Sequence, residues 1–211
     1  IWCPGEEAQS AAPVGTRYFR REFTLPEDRD LASLVCAVTA DNRFRLFLNG
    51  KEVRTGTSFK EAVAVDLTEH TRTGKNIVAI EASNEGDAPN PAGLLAILVF
   101  RFQEGQALAI VSNGEWRCAE TVPENWKEAD FDAQDWAKAE VLGAYGTDPW
   151  GELTVTSGDL FLPPAQYLRK RFVLAKPVER ATLYASALGN YEMYLNGRQV
   201  GDAYFTPGWT D

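Results

Sequence analysis

Two stretches of this chain occur twice, and that duplication constrains the fold more than any other feature. Tyr18-Phe19-Arg20-Arg21-Glu22-Phe23-Thr24-Leu25 returns as Tyr167-Leu168-Arg169-Lys170-Arg171-Phe172-Val173-Leu174, and Phe44-Arg45-Leu46-Phe47-Leu48-Asn49-Gly50-Lys51-Glu52-Val53 returns as Tyr191-Glu192-Met193-Tyr194-Leu195-Asn196-Gly197-Arg198-Gln199-Val200. The offsets are 149 and 147 residues, far beyond the roughly 20–50 of a solenoid repeat. The copies are therefore expected to be whole domains. With 211 residues in all and about 150 per domain as a prior, there is room for one complete copy and part of another. After Val53 copy one continues through several more strand-like runs, whereas after Val200 only Gly201 to Asp211 remain. The expectation is a piece of a longer protein. Tyr145 to Pro164, with Gly146, Pro149, Gly151, Gly158, Pro163 and Pro164, has linker composition. The boundary is placed near residue 155, giving units 1–155 and 156–211.

The pattern within each copy is β. Tyr18 to Leu25 alternates and stops at Pro26; Leu34 to Ala40 is a short apolar run; Phe44 to Leu48 alternates and ends in Asn49-Gly50. Asn-Gly tolerates the positive φ values of a type I′ hairpin, so Lys51-Glu52-Val53 should fold straight back. Further strands are expected at Ala62 to Asp66, Ile77 to Ser83, Leu94 to Phe102, Ala107 to Ser112 and Glu115 to Ala119. Asp135 to Glu140 reads at most as a helical turn. Short strands at about ten-residue spacing with Gly, Asn and Pro turns predict an all-β, antiparallel two-sheet sandwich of the jelly-roll kind.

Charge and residue inventory exclude several function classes. Thirty acidic residues face 21 basic ones, a net charge of −9 with no basic cluster, so nucleic acid is not an expected partner. The longest apolar run, Leu94 to Phe100, is cut by Arg101 and falls short of the ~18 residues of a spanning segment; no membrane association is expected. The opening Ile1-Trp2-Cys3-Pro4 is neither an initiator Met nor a signal peptide, so the natural start and its targeting signal are expected to be missing. One histidine and three cysteines without CxxC or HxxxH spacing give no basis for zinc or for a Cys/His or Ser/His/Asp triad. His70, in a polar segment, reads as a surface residue, and Cys36 as a small buried hydrophobe.

Comparing the copies separates fold from function. Phe44/Tyr191, Leu46/Met193 and Leu48/Leu195 agree as core positions should, but Thr39-Ala40-Asp41-Asn42-Arg43 stands where copy two has Ser186-Ala187-Leu188-Gly189-Asn190. Asp41 and Asn42 are thus dispensable for the fold. At a strand-to-turn junction both can reach one concave rim, offering hard oxygens for Ca²⁺ and polar groups for vicinal sugar hydroxyls; an Asx turn is the equal alternative. The polar stretch Asn84 to Gly93 between two apolar strands is either a binding loop or a solvated hairpin connection. Sugar binding also calls for an aromatic ring to stack on the C–H face of a pyranose. Of Trp2, Trp116, Trp126, Trp136, Trp150 and Trp209, the candidate is Trp116, after the Asn113-Gly114 turn, while Trp136 and Trp150 read as structural. The acids Glu120, Glu124, Glu128, Asp130, Asp132 and Asp135 read as a solvated face.

Several of these runs carry a family resemblance. Tyr167-Leu168-Arg169-Lys170, Ala187 to Gly197 (with Gly-x-Tyr-Glu-x-Tyr-x-Asn-Gly) and Thr206-Pro207-Gly208-Trp209-Thr210-Asp211 resemble the start of the N-terminal sandwich domain of bacterial α-L-rhamnosidases. Ile1-Trp2, Tyr18 to Arg21, Thr39 to Asn42, Pro91 to Leu94, Phe131-Asp132, Asp135-Trp136 and Pro149-Trp150-Gly151 resemble the galactose-binding-like module that precedes it. The resemblance implies a non-catalytic, carbohydrate-binding first sandwich that takes L-rhamnose or related glycans with the help of Ca²⁺. It implies that Asp41 and Asn42 meet the ion and the sugar and that the loop bearing Asn84, Asn90 and Pro91 supplies the remaining contacts, with Asn84 also on the metal. It further implies hydrolysis by an inverting carboxylate pair in a downstream (α/α)₆ barrel, a rhamnose-containing polysaccharide or oligosaccharide as partner, and an extracellular or periplasmic setting. Two alternatives stay open: sandwiches that only pack on a catalytic domain, and the sugar-binding domain of a β-galactosidase-like enzyme.

Overall fold

The computed structural model describes residues 1–157, 167–186 and 191–201. The chain divides into two compact units, Ile1–Pro163 and Pro164–Asp211.

Unit one is a two-sheet sandwich. Its strands in chain order are β1 (Gly15–Leu25), β2 (Leu31–Asp41), β3 (Arg43–Leu48), β4 (Lys51–Gly56), β5 (Glu61–Asp66), β6 (Gly74–Asn84), β7 (Gly93–Phe102), β8 (Leu108–Val111), β9 (Arg117–Ala119), β10 (Ala137–Lys138) and β11 (Thr154–Ser157). One sheet runs β10-β9-β1-β6-β3-β4 and the other β11-β5-β2-β7-β8. All nine expected strands are present. The expectation of a purely antiparallel sandwich is corrected at one pair: β11 runs parallel to β5, Thr154 opposite Glu61 through Ser157 opposite Ala64. That pairing carries the first unit past residue 155, where the boundary was expected.

Alternation sets the core. Phe19, Phe23 and Leu25 on β1, Leu34, Cys36 and Val38 on β2, Leu94, Ala96, Leu98 and Phe100 on β7, and Trp2 and Trp116 from flanking segments are all buried in one cluster between the sheets. Each fully buried large side chain contributes ~1.5–3 kcal/mol. Cys36 behaves as expected, with no exposed surface. Asn49 (φ 50) and Gly50 (φ 87) make the type I′ turn between β3 and β4. His70, expected at the surface, is half-buried at the end of a 3₁₀ turn (Thr68–His70), its carbonyl accepting from Asn49 Nδ2 at 3.2 Å.

The outer face of the six-stranded sheet is also covered. Phe47, Ile77 and Ala79 point away from the main core and pack under Trp126, with Tyr18, Phe131 and Trp136 around it. Tyr18 and Phe47 meet Trp126 edge-on at 5.0 and 5.8 Å between ring centres, and Trp136 stacks on it at 6.3 Å. Buried Arg20 clips this covering segment to β1, donating to the carbonyls of Trp126 (2.8 Å) and Phe131 (2.7 Å). The helical turn expected over Asp135 to Glu140 is replaced by strand β10, because Ala137 and Lys138 find ladder partners in Cys118 and Arg117. Of the acidic run, all but half-buried Glu128 are exposed.

In unit two, β12 (Tyr194–Leu195) and β13 (Arg198–Gln199) form a hairpin around Asn196 (φ 50) and Gly197 (φ 79), repeating the turn of copy one. Tyr167 to Leu174, expected as a strand by likeness to β1, forms none; among the described residues no ladder partner flanks it, and Tyr167 and Leu168 are almost fully exposed. Ala187 to Asn190 and Thr206 to Asp211, including Trp209, lie outside the described residues.

Candidate functional site

The rim of the sandwich holds a pocket of about 530 Å³, open mouth included, where the end of β2 (Thr39 to Asp41), the start of β7 (Gly93 to Leu95), Phe59 and the loop from Leu142 to Leu153 converge. Local bonds shape each wall. Thr39 Oγ1 donates to Ser58 O at 2.6 Å and holds the segment that carries Phe59. The hydroxyl of Tyr145 accepts from Leu153 N at 3.0 Å and so clasps the two ends of the loop. Within it, Trp150 N and Gly151 N both donate to Thr147 O, at 3.2 and 3.1 Å.

Asp41 and Trp150 are the polar and aromatic centre of this pocket. Asp41 is 7% exposed, and its Oδ2 accepts from Trp150 Nε1 at 3.1 Å. Burial pushes its carboxyl above the ordinary 3.8, and the indole hydrogen bond works against that rise. Opposite Asp41 in the β2–β7 ladder stands Gly93. A Cβ there would come within 3.0 Å of the Trp150 ring, so the bare backbone at 93 is what lets the indole lie against β7. Trp150, Tyr145 and Phe59 leave aromatic surface on a site whose centre is a carboxylate.

The remaining expected residues are placed differently. Asn42 is half-buried but does not line the pocket: its N–H donates to Ser83 O at 2.7 Å and its Oδ1 accepts from Glu85 N at 2.6 Å, which commits it to the end of β6. The expectation of Asp41 and Asn42 on one rim is corrected accordingly, and neither forms a local Asx turn. Asn84 is 1% exposed and donates through Nδ2 to Ala12 O (3.1 Å), Pro13 O (3.3 Å) and Asn90 O (3.4 Å). Its Oδ1 is buried with no donor. Asn90 ties the loop from inside, donating to Glu85 O and Ala88 O, and its N–H bonds to Ala12 O at 3.1 Å. Pro91 is half-buried beside it. The loop joins β6 in one sheet to β7 in the other, so it is a crossover and not a hairpin connection; Glu85 to Pro89 are exposed, as the solvated reading expected.

Trp116 is a correction. It has no exposed surface, packs in the main core and donates Nε1 to Val111 O at 2.9 Å, so no sugar face can reach it. Trp150, read as structural, is the ring at the pocket. The signal for it was its company, a tryptophan in the turn-rich Tyr145 to Gly151 run with no apolar alternation to bury it. Among the described residues no group of three or more His, Cys, Asp or Glu side chains could hold a metal ion. The Asp41 carboxylate in the pocket and the orphaned Asn84 amide oxygen, which does not line it, are hard-oxygen donors of types that suit Ca²⁺ and not a softer metal.

Comparison with known proteins agrees with this architecture. Residues 176–211 match the family described as "Alpha-L-rhamnosidase N-terminal domain". An α-L-rhamnosidase from Streptomyces avermitilis is 38% identical over 219 residues, covering 100% of this chain and 20% of that protein. The crystal structure of the Streptomyces avermitilis enzyme complexed with L-rhamnose superposes with a TM-score of 0.70 at 34% identity, over 100% of this chain and 20% of that one. A lectin from Pleurotus ostreatus, solved in apo form and in complex with GalNAc, has a TM-score of 0.65 at 29% identity, over 74% of this chain and 44% of the lectin. These likenesses define the class: a β-sandwich of the kind shared by a lectin and by α-L-rhamnosidases. The chain itself is recognised as N-terminal β-sandwich sequence of the α-L-rhamnosidase kind, and it spans 20% of the length of the Streptomyces relative.

Proposed function

We propose that unit one is a non-catalytic carbohydrate-binding module of an α-L-rhamnosidase-like glycoside hydrolase, taking L-rhamnose or a related neutral sugar at the Asp41–Trp150 pocket. The observation that carries this reading is the pairing of a buried carboxylate with an indole in an open, aromatic-walled rim pocket. An aromatic face beside a fixed hydrogen-bond acceptor suits a pyranose with an apolar side and directional hydroxyls. The relatives add support, since one was solved with L-rhamnose and the lectin with GalNAc.

Ca²⁺ belongs to the reading as an expectation from the donor types. Asp41 would hold it, with the orphaned Asn84 amide oxygen as the second candidate donor, while Asn42 stays committed to β6. Bound there, the ion would supply coordination for vicinal sugar hydroxyls. The residues' own part is to orient: Trp150 fixes the Asp41 carboxylate, and Ala12 and Pro13 fix the Asn84 amide so that its oxygen faces away from its own donors. Hydrolysis is assigned to an inverting carboxylate pair, ~6.5–9.5 Å apart, in a separate catalytic domain of the parent protein.

Calorimetric titration of the 211-residue chain with L-rhamnose and with GalNAc, in Ca²⁺ and in chelator, tests this. Heat with rhamnose that needs Ca²⁺ and is lost in Asp41→Ala and Trp150→Ala is expected. No heat with either sugar in Ca²⁺ overturns it. That result would favour a purely structural sandwich, a reading to which the exposed Ile97 and Val111 on β7 and β8 lend support.

A further inference from the structure

Two of the chain's Asn-Gly pairs share their local sequence: Leu48-Asn49-Gly50-Lys51 and Leu195-Asn196-Gly197-Arg198 each hold a leucine, the pair and a basic residue. A third pair stands in Ser112-Asn113-Gly114-Glu115. In an Asn-Gly pair the next backbone nitrogen can close on the asparagine side chain, because glycine has no Cβ to stand in the way. With the sequence around Asn49 and Asn196 matched, their surroundings decide which of the two reacts.

Asn49 is held on every side. Its Nδ2 donates to Asn76 Oδ1 (2.9 Å) and His70 O (3.2 Å), its Oδ1 accepts from Ile77 N (3.0 Å), and its own N donates to Ile77 O (2.9 Å). The Glu128 carboxylate lies against Gly50, and both strands of the hairpin belong to the six-stranded sheet. Amide and backbone are thus committed to neighbours other than Gly50. Asn196 makes the same turn without those ties. It is exposed, and among the described residues no hydrogen bond or ion pair reaches its side chain. Leu195 beside it is 51% exposed, where Leu48 is 1%. Its hairpin is a two-stranded sheet of two residue pairs, with one further bond from Val200 N to Met193 O at 2.8 Å. A two-stranded hairpin by itself is marginally stable in water, so this turn opens at small cost. Asn113 is intermediate: half-buried, its Oδ1 accepts from Glu115 N at 3.0 Å, and Trp116 N closes the turn on its carbonyl at 3.2 Å.

We propose that Asn196 is a self-modification site that converts to aspartate and isoaspartate. When the hairpin opens, hydroxide takes the Gly197 amide proton and the nitrogen attacks Asn196 Cγ. The new N–Cγ bond closes a five-membered succinimide ring as the Cγ–Nδ2 bond breaks, and Nδ2 leaves as ammonia with a proton from water. A water molecule then opens the ring at one of its two carbonyls, giving aspartate or isoaspartate. Nothing is oxidised or reduced, and water is the one co-reactant. Both products place a new carboxylate at the tip, and isoaspartate adds a main-chain carbon between β12 and β13.

The test holds the folded 211-residue chain at mildly alkaline pH, with a sample in urea alongside, then digests both in acid and reads residues 49, 113 and 196 by mass spectrometry. Each conversion adds the mass difference between water and ammonia. In the folded chain residue 196 should convert at least about tenfold faster than 49 or 113, and in urea 49 and 196 should convert at equal rates. A smaller folded-state ratio overturns the proposal, and so does a difference between 49 and 196 that persists in urea. Asn196→Gly, which suits the positive φ at this position, should abolish the fast conversion. A fast conversion remaining in that variant places the reaction elsewhere and overturns the assignment.

Discussion

Trp150 and Asp41 depend on each other across 109 positions of sequence. Trp150→Phe keeps an aromatic wall but removes the N–H, leaving a buried carboxylate oxygen without that donor. A loss of ~1–3 kcal/mol is expected, read from urea unfolding, with the Asp41 titration moving further upward. The pH dependence follows from the same residue. Its folded pKa lies above the unfolded value, so between the two the folded chain binds more protons, and stability falls as pH rises through that interval and stays lower above it. Without Ca²⁺, the wild-type urea midpoint should show this downward step and Asp41→Asn should lack it. If Ca²⁺ occupies the carboxylate as proposed, the sense reverses for the ion: its affinity should weaken as pH falls, starting at a higher pH than for an ordinary aspartate. Asp41 itself was legible, because the sequence of copy two has Leu188 at the corresponding position. Trp150 was marked only by its turn-rich company: its role comes from a loop that folds back onto β2, and no local period encodes such a contact.

Elements divide along the same line. The β3–β4 hairpin could be read directly, since Asn-Gly between alternating runs dictates its turn type. The structure adds what the turn is tied to. Asn49 Nδ2 donates to Asn76 Oδ1 at 2.9 Å, and Asn49 Oδ1 accepts from Ile77 N at 3.0 Å, stapling the hairpin to β6. Asn49→Ala should cost ~2 kcal/mol, seen as a lower urea midpoint with an unchanged slope. Gly56 at the end of β4 gives a second check at this scale. A Cβ there would meet the buried Phe44 ring at 2.2 Å, so Gly56→Ala overpacks the core and should destabilise by ~1–3 kcal/mol, again by urea unfolding. The covering segment around Trp126 was not legible as structure, because its acids and turns look like solvated coil; what clips it are Arg20, reaching the carbonyls of Trp126 and Phe131, and Arg117, reaching that of Trp136 at 3.1 Å. Cutting that clip with Arg20→Met should expose residues 121–136 to limited proteolysis while the main strands stay protected from hydrogen exchange.

At the scale of the whole molecule, the duplication foretold two units but misjudged where the first one closes. Thr-Val-Thr-Ser at 154–157 sits in a turn-rich stretch and is too short for periodicity to announce a strand. What makes it one is long-range: Thr154 N donates to Lys60 O at 3.1 Å, and four residues lie in parallel register on β5. Without it β5 becomes a bare edge, with unpaired backbone groups along Glu61 to Ala64 and the buried side chain of Ala62 opened to solvent. Two truncations separate the alternatives. A fragment ending at Pro163 keeps β11 and should melt in one cooperative transition as a soluble monomer. A fragment ending at Leu153 keeps every residue that lines the pocket yet lacks the edge strand; it should melt lower and self-associate, as sedimentation would show. Equal melting and monomeric behaviour of the two would mean that β11 contributes nothing to the unit. A lower-melting shorter fragment that still binds sugar would separate the sandwich's closure from its pocket.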